Sequence, residues 1–316
     1  MRLYSLLASA KINLYLEIIG DRPDGFHELV MVMQSVDLAD RVTVRSLGTK
    51  EIRVSCSHPQ VPNDKTNLAY RAAALMAEKF PDAYAKQGGV DITIEKQIPV
   101  GAGLAGGSTN AAAVLVGVDL LWNLGLTQLE LQDLGAKLGS DVPFCVVGGT
   151  AIATGRGEEL DFLYGLDNLY VLLAKYRSLS VSTPWAYKSY RQQFGDAYIS
   201  ISDSAGLDER RRRVHSGPMV AAIAHQNGLE IGQGLHNDLE KVVLSDYPKV
   251  AYLKKTMAAL GGLGSMMSGS GPTVFSLVSS RQQAEQMKTQ TLEQISDPDL
   301  DLWVAKFLPT GIRLDD

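Results

Sequence analysis

Residues Gly101-Ala-Gly103-Leu-Ala-Gly106-Gly107-Ser108 stand between a strand pattern, DITIEKQIPV, and a long apolar segment, NAAAVLVGVDLLWNL. No other stretch restricts the possible folds as much. A strand that runs through a glycine-rich loop into a helix aims backbone N–H groups and the positive end of a helix dipole at one place, which suits an anion. Glycine serves where backbone must approach phosphate with no Cβ between. Ser108 and Thr109 offer N-cap chemistry for the helix, and Gly125 closes it. Three better-known loops fit less well. GAGLAG satisfies G-x-G-x-x-G, but a dinucleotide site also needs an acidic residue about 20 positions on at the end of a second strand, and Asp119 falls inside the helix. A Walker loop needs Lys where Gly107 stands, and the V-A-I-K, H-R-D and D-F-G segments of protein kinases do not occur. The plain alternative is a helix entry that binds nothing.

Upstream, Ile12, Leu14, Leu16 and Ile18 alternate with Lys11, Asn13, Tyr15 and Glu17. Period two predicts a strand with one apolar and one polar face, so Lys11 and Asn13 point the same way. The strand ends at GDRPDG, a Pro-Asp-Gly turn, and Phe26, His27 and the apolar LVMVMQSV follow. DRVTVRS and EIRVSCS read as short strands. Asn67 caps a predicted helix, LAYRAAALMAEKF, that Pro81 ends. Thr127 and Glu130 form a capping box for another helix, after which come Asp141 and Pro143. The second half alternates strands (YVLLAKY, LWVAKF) with helices and carries another glycine-rich segment, SGSGPTVFSL. Such alternation predicts α+β layers. A single core stops growing at roughly 250–300 residues, so a chain of 316 suggests two domains, and we expect them at 1–160 and 161–316. A polar stretch at 191–232 contains Arg210, Arg211, Arg212 and Arg213. Its part at about 196–214 reads as a surface excursion with solvated arginines that a domain can lose cheaply.

The formal net charge of −5 gives no footprint for nucleic acid. Cys56 and Cys145 form no CxxC pair and are too few for a disulfide framework, which suits core filler in a reducing cytoplasm. Arg2, LYSLL and Ala8-Ser9-Ala10 mimic a secretory leader, but the apolar stretch is shorter than the roughly 7–15 residues required. No apolar run reaches the ~18 residues of a membrane span.

IPVGAGLAGGSTNAAA resembles the phosphate loop of the GHMP kinases, the superfamily of galactokinase and of homoserine, mevalonate and phosphomevalonate kinases. Their pattern is Pro-x-x-x-Gly-Leu-Gly-Ser-Ser-x-Ala, from which this sequence departs at Ala105 and Thr109. SAKINLYLEIIGDRPDGFHEL, GSDVPFCVVGGTAIATGRGE and the HNDLE at residue 236 are similar to signatures of one branch, whose members phosphorylate diphosphocytidyl-methylerythritol. SGSGPTVFSL is similar to the third superfamily motif. These motifs occur in order from residue 8 to 278, and the stretch at 191–232 is the part they do not cover.

The resemblance implies a two-domain α+β GHMP kinase fold. Its N-terminal domain would be like domain 2 of ribosomal protein S5 and its C-terminal domain ferredoxin-like, with the cleft between them. It implies transfer of the ATP γ-phosphate to a tertiary 2-hydroxyl, with ATP held by Pro99, Gly101, Gly103, Leu104, Ala105, Gly106, Gly107, Ser108 and Thr109. Asp141 would be the base or orienter of the acceptor hydroxyl. Lys11 would pair with it and keep it ionised. Asn13 would bind the acceptor, Phe26 would stack on cytosine, His27 would contact the base, and Tyr187 in STPWAYK would take the other face. Read from the residues alone, Asp141 serves equally as a helix cap, Lys11 as a solvated lysine and Tyr187 as core. No His/Cys/Asp cluster has metal-ligand spacing, so Mg²⁺ is expected to be held mostly by ATP phosphates. The implied partners are small molecules, with neither nucleic acid nor membrane, for a monomer or homodimer. The rival readings are another GHMP kinase, an NAD-dependent oxidoreductase, and a binding protein of this fold that has lost catalysis.

Overall fold

Two long strands, β1 (Leu3–Asp21) and β2 (His27–Ser46), pair antiparallel on either side of the Pro-Asp-Gly turn. The computed structural model describes residues 2–200 and 202–315. LVMVMQSV and DRVTVRS, expected as separate segments, are one strand. The acidic residues between them do not interrupt it because each is satisfied in place: Asp37 accepts from the Lys306 N–H and Asp40 from several donors of the loop region.

The single apolar face expected for β1 is also corrected. The register shifts at Ser9/Ala10, where Asp37 and Leu38 are extra on β2, and at Asn13/Tyr15, where Leu14 is extra on β1, and the side-chain phase of β1 changes at both places. Leu6 and Ala8 enter one core, Ala10, Ile12 and Leu14 a second, and Leu16 and Ile18 return to the first. Both surfaces of the strand are covered, so Lys11, Asn13 and Glu17 are buried rather than solvated. Each fully buried Leu or Ile side chain here contributes ~1.5–3 kcal/mol.

The first half continues with β3 (Arg53–Cys56), α1 (Leu68–Lys79), α2 (Pro81–Gln87), β4 (Val90–Glu95), α3 (Gly106–Trp122), α4 (Gln128–Ala136), α5 (Val142–Val147), β5 (Thr150–Gly155) and β6 (Glu159–Leu163). Asn67 caps α1 by accepting from the Ala69 N–H at 2.9 Å, and Thr127 and Glu130 make the expected capping box of α4. Helix α3 differs at both ends. It starts at Gly106, behind a left-handed Ala105 (φ 57°), and no side chain caps it. Ser108 and Thr109 therefore lie inside its first turn. It stops at a left-handed Asn123 (φ 57°) before Gly125 is reached, a conformation asparagine tolerates.

The second half comprises β7 (Tyr170–Tyr176), α6 (Thr183–Phe194), α7 (Ser204–His215), α8 (Pro218–Ala224), α9 (Gly228–Gln233), β8 (His236–Asn237), α10 (Glu240–Asp246), α11 (Pro248–Ala259), β9 (Gly264–Met267), β10 (Val274–Val278), α12 (Arg281–Gln294), β11 (Leu300–Leu308) and β12 (Arg313–Leu314). Its strands join those of the first half in the order β12-β1-β2-β11-β7-β10-β9, while β4 and β5 also pair with β2 and β8 with β1. The layered α+β class is as expected.

The polar stretch is not a solvated excursion. Helix α7 crosses the first hairpin, where Arg210 pairs with Glu17 and Arg211 with Glu28. Both glutamates are buried. Ile199 donates to the Ile19 carbonyl at 2.9 Å. Of the four arginines only Arg212 and Arg213 are exposed. A buried carboxylate needs a partner, and here two arrive from far along the chain. No helix among the described residues is long and apolar enough to cross a membrane.

Candidate active site

A cavity of about 810 Å³ opens between the first hairpin, the glycine loop, α6 and the Gly269-Ser270 segment. On its floor the Lys11 ammonium donates to Asn13 Oδ1 at 2.7 Å and lies 3.8 Å from Asp141 Oδ2. Lys11 is buried and the Asp141 side chain is 31% exposed. Asp141 has helical backbone angles at the head of α5, and its side chain caps nothing. Its carboxylate is left to face the cavity beside a cation.

The glycine loop is shaped by what lies against it. Gly103 has φ +73°, and a Cβ there would sit 2.3 Å from the Ser268 carbonyl. Ser268 Oγ donates back to the Gly103 carbonyl at 3.1 Å. The two glycine-rich segments are thus in backbone contact. Gly269 (φ +54°) leaves bare backbone next to the reactive cluster, since a Cβ would lie 3.3 Å from Asn13 Oδ1 and 3.6 Å from Lys11 Nζ. Asn237 of HNDLE holds this second loop by donating to the Met267 and Gly269 carbonyls, each at 2.8 Å. Its neighbour Asp238 ties the same segment to β1 through the Ile18 N–H. Burial works to raise the Asp238 carboxyl, but hydrogen bonds from His236, Lys241 and that N–H prevail and hold it at about 2.

Pro99, Gly101, Gly103, Leu104, Ala105, Gly106, Gly107 and Ser108 all line the cavity. Because no side chain caps α3, its first N–H groups remain available to an anion, with the helix dipole behind them. Thr109 is the exception. One residue further round the helix than Ser108, it is fully buried in the interior and does not line the cavity. Its expected role toward ATP is therefore withdrawn.

Two residues that the sequence reading missed complete this end. Asp40 is buried within β2 and accepts from the Gln97 N–H (2.7 Å), the Ile98 N–H (2.8 Å), Asn110 Nδ2 (2.8 Å) and the Lys96 ammonium. It joins the approach to the loop with the helix that leaves it. Lys96 lines the cavity, close to Gly106. Its one visible signal was a lysine breaking the apolar phase of Ile92, Ile94 and Ile98.

At the other end Phe26, His27 and Tyr187 line the same cavity. Phe26 is half exposed, with the Arg156 guanidinium 4.9 Å above its ring. The His27 ring lies 5.0 Å from that of Tyr187, tilted by 33°, and edge-on to Tyr198 at 6.0 Å. Its Nε2 has no hydrogen-bond partner among the described residues. Burial lowers the His27 pKa from its ordinary 6.5, and the Arg191 charge helps against the opposing Asp21. The ring is thus neutral at pH 7, with one nitrogen donating and one accepting. Burial, reinforced by the Asp141 charge, raises the Tyr187 phenol. Cys56 and Cys145 are buried and free, and burial raises the Cys145 thiol.

A glycine-rich loop at an uncapped helix beside a lysine–aspartate pair, on a sheet assembled from both halves of the chain, is the arrangement that a small-molecule kinase requires. Residues 67–149 match the family described as GHMP kinases N terminal domain, and residues 219–294 the one described as GHMP kinases C terminal. The chain belongs to the GHMP kinases. Within them it is similar to the 4-diphosphocytidyl-2-C-methyl-D-erythritol kinase of Gloeothece citriformis, with 63% identity over 100% of this chain and 99% of that protein. The enzyme of the same name from Nostoc punctiforme is 64% identical over 99% of each. A crystal structure of 4-(cytidine 5'-diphospho)-2C-methyl-D-erythritol kinase superposes with a TM-score of 0.73 at 31% identity, covering 96% of this chain and 98% of that one. Homoserine kinase from Cytophaga hutchinsonii, at 19% identity and a TM-score of 0.76, shares the fold.

Proposed function

We propose that this chain transfers the γ-phosphoryl group of ATP to the 2-hydroxyl of 4-diphosphocytidyl-2-C-methyl-D-erythritol, a step of the non-mevalonate isoprenoid route. The observation that carries the reading is one cavity holding the uncapped glycine-loop helix, the Lys11–Asp141 pair and the Phe26–His27–Tyr187 cluster. Full-length relatives at 56–64% identity with that activity support it.

Phosphoryl transfer asks mainly for position and charge. Asn13 and Asp141 orient the acceptor hydroxyl. As its oxygen bonds to the γ-phosphorus, the proton passes to the Asp141 carboxylate and the bond to the β-phosphate oxygen breaks, releasing ADP. Lys11, beside Asp141, offsets charge developing on the transferred group. The α3 N-terminus and the Gly101–Ser108 backbone hold the phosphates, with Lys96 close by. Among the described residues, no group of three His, Cys, Asp or Glu side chains is placed to hold a metal ion. Asp141 and Ser108 line the cavity and would be the oxygens this chain offers to a magnesium ion held mostly by ATP phosphates, an ion that would neutralise phosphate charge. Phe26 and Tyr187 take the faces of the cytosine ring, and neutral His27 reads its edge.

The direct test is ADP release with ATP and the diphosphocytidyl substrate, run beside mevalonate and homoserine. Turnover with the cytidine compound alone is expected. Turnover with either of the others, and none with it, would overturn the proposal. Phe26→Ala removes a π-face and is expected to raise KM for the cytidine substrate by the equivalent of ~1–3 kcal/mol, with KM for ATP unchanged. A change in KM for ATP instead would mean the two ends of the cavity are assigned in reverse.

A further inference from the structure

Glu28 follows His27 at the start of β2 and is only 1% exposed. Three elements converge on it. Oε1 accepts from Arg211 Nη2 on α7 at 2.5 Å and from the Gly155 N–H at the end of β5 at 3.2 Å, while Oε2 accepts from Arg22 Nη1 at 2.7 Å. Arg22 opens the turn that carries Phe26: its N–H donates to the Phe26 carbonyl at 2.9 Å, and its Nε to Asp24, whose other oxygen accepts from the Phe26 N–H at 3.1 Å. Gly155 precedes Arg156, the residue stacked on the Phe26 ring. One buried carboxylate therefore anchors both the turn that presents Phe26 and the strand end that covers it.

Buried ion clusters of this kind give little net stability compared with apolar packing of the same volume, while removing one member leaves an unpaired charge. Their evident product here is geometry. We infer that Arg211 is a positioning residue for substrate recognition: from the polar stretch that no family motif covers, it sets, through Glu28, the placement of Phe26 and His27. It does not line the cavity. The inference rests on the reading that this end of the cavity takes the cytidine.

Steady-state kinetics with both substrates varied would test it on the full chain. Arg211→Met keeps the side-chain stem and removes the charge. It is expected to raise KM for the cytidine substrate on the order of tenfold, short of the ~10²-fold that a fully misplaced group can cost. Both kcat and KM for ATP should stay within about twofold, and Arg211→Lys should recover part of the loss. Should Arg211→Met fail to fold, Glu28→Gln/Arg211→Met removes both charges while Arg22 keeps its pairing with Asp24, and the same shift is expected of it. An unchanged KM for the cytidine substrate in either folded variant overturns the inference, as does a parallel change in kcat and both KM values, which marks a purely structural role. Phe26→Ala separates the two claims. If it leaves that KM unchanged, the cytidine reading of this end fails. If it raises KM while the Arg211 variants are silent, only the positioning role falls.

Discussion

Asp141→Asn is expected to lower kcat by ~10²–10⁴-fold, the usual contribution of a general base, while KM for ATP stays near its original value. The substitution is close to isosteric, and the side chain is neither deeply buried nor engaged as a helix cap, so the fold has little reason to respond. What it loses is the negative charge 3.8 Å from Lys11 and the atom able to receive the acceptor proton. Comparing kcat, KM for ATP and thermal unfolding for the variant and the parent chain separates the roles. Turnover within a few-fold of the parent would reduce Asp141 to the residue that leads into a short helix.

Asp40→Asn should act on the fold instead. The carboxylate accepts from two N–H groups, an amide and a buried ammonium at once. Asparagine offers one oxygen where there were two, turns an NH₂ group toward donors, and leaves Lys96 without a counter-charge. Breaking a buried pair typically costs ~3–5 kcal/mol, a large part of the ~5–15 kcal/mol that holds a domain together. Urea unfolding should show a loss of that order, with partial recovery in Asp40→Asn/Lys96→Met. A loss below ~1 kcal/mol would mean that Asp40 is not the junction its contacts describe.

The features legible in the sequence are those that neighbouring residues decide. The glycine loop, the Asn67 cap and the Thr127–Glu130 capping box need only three to eight consecutive positions, and each stands where it was expected. Lys11 and Asn13 do point the same way, two positions apart on one strand. The misreadings concern phase and distance. A bulge leaves no composition signal, so the even-numbered residues of β1 looked like one face. Residue 109 could be aimed only once the start of α3 was known, and that start depends on a left-handed alanine. The arginines of α7 looked solvated because the glutamates they meet lie 183 and 193 positions away. Asp40, likewise, meets its partners 56–70 positions on. Polar residues buried by remote partners are invisible to any local rule.

The pairing of β1 and β2 with β12 and β11 also bears on how the chain is made. Val36 meets Phe307, and Leu6 meets Leu314. A ribosome delivers the hairpin with Lys11, Phe26 and His27 first; β4 and β5 then cover most of the free edge of β2, whereas β12 reaches β1 only after some 270 further residues. At ~5–20 residues per second the interval is on the order of 15–50 s. For that time the N-terminal part of the β1 edge, where Leu6 and Leu7 later meet β12, stands open, the kind of template on which nascent chains associate. Co-translational protection of this edge, by a chaperone or by transient cover from later segments, should therefore affect the yield of active enzyme.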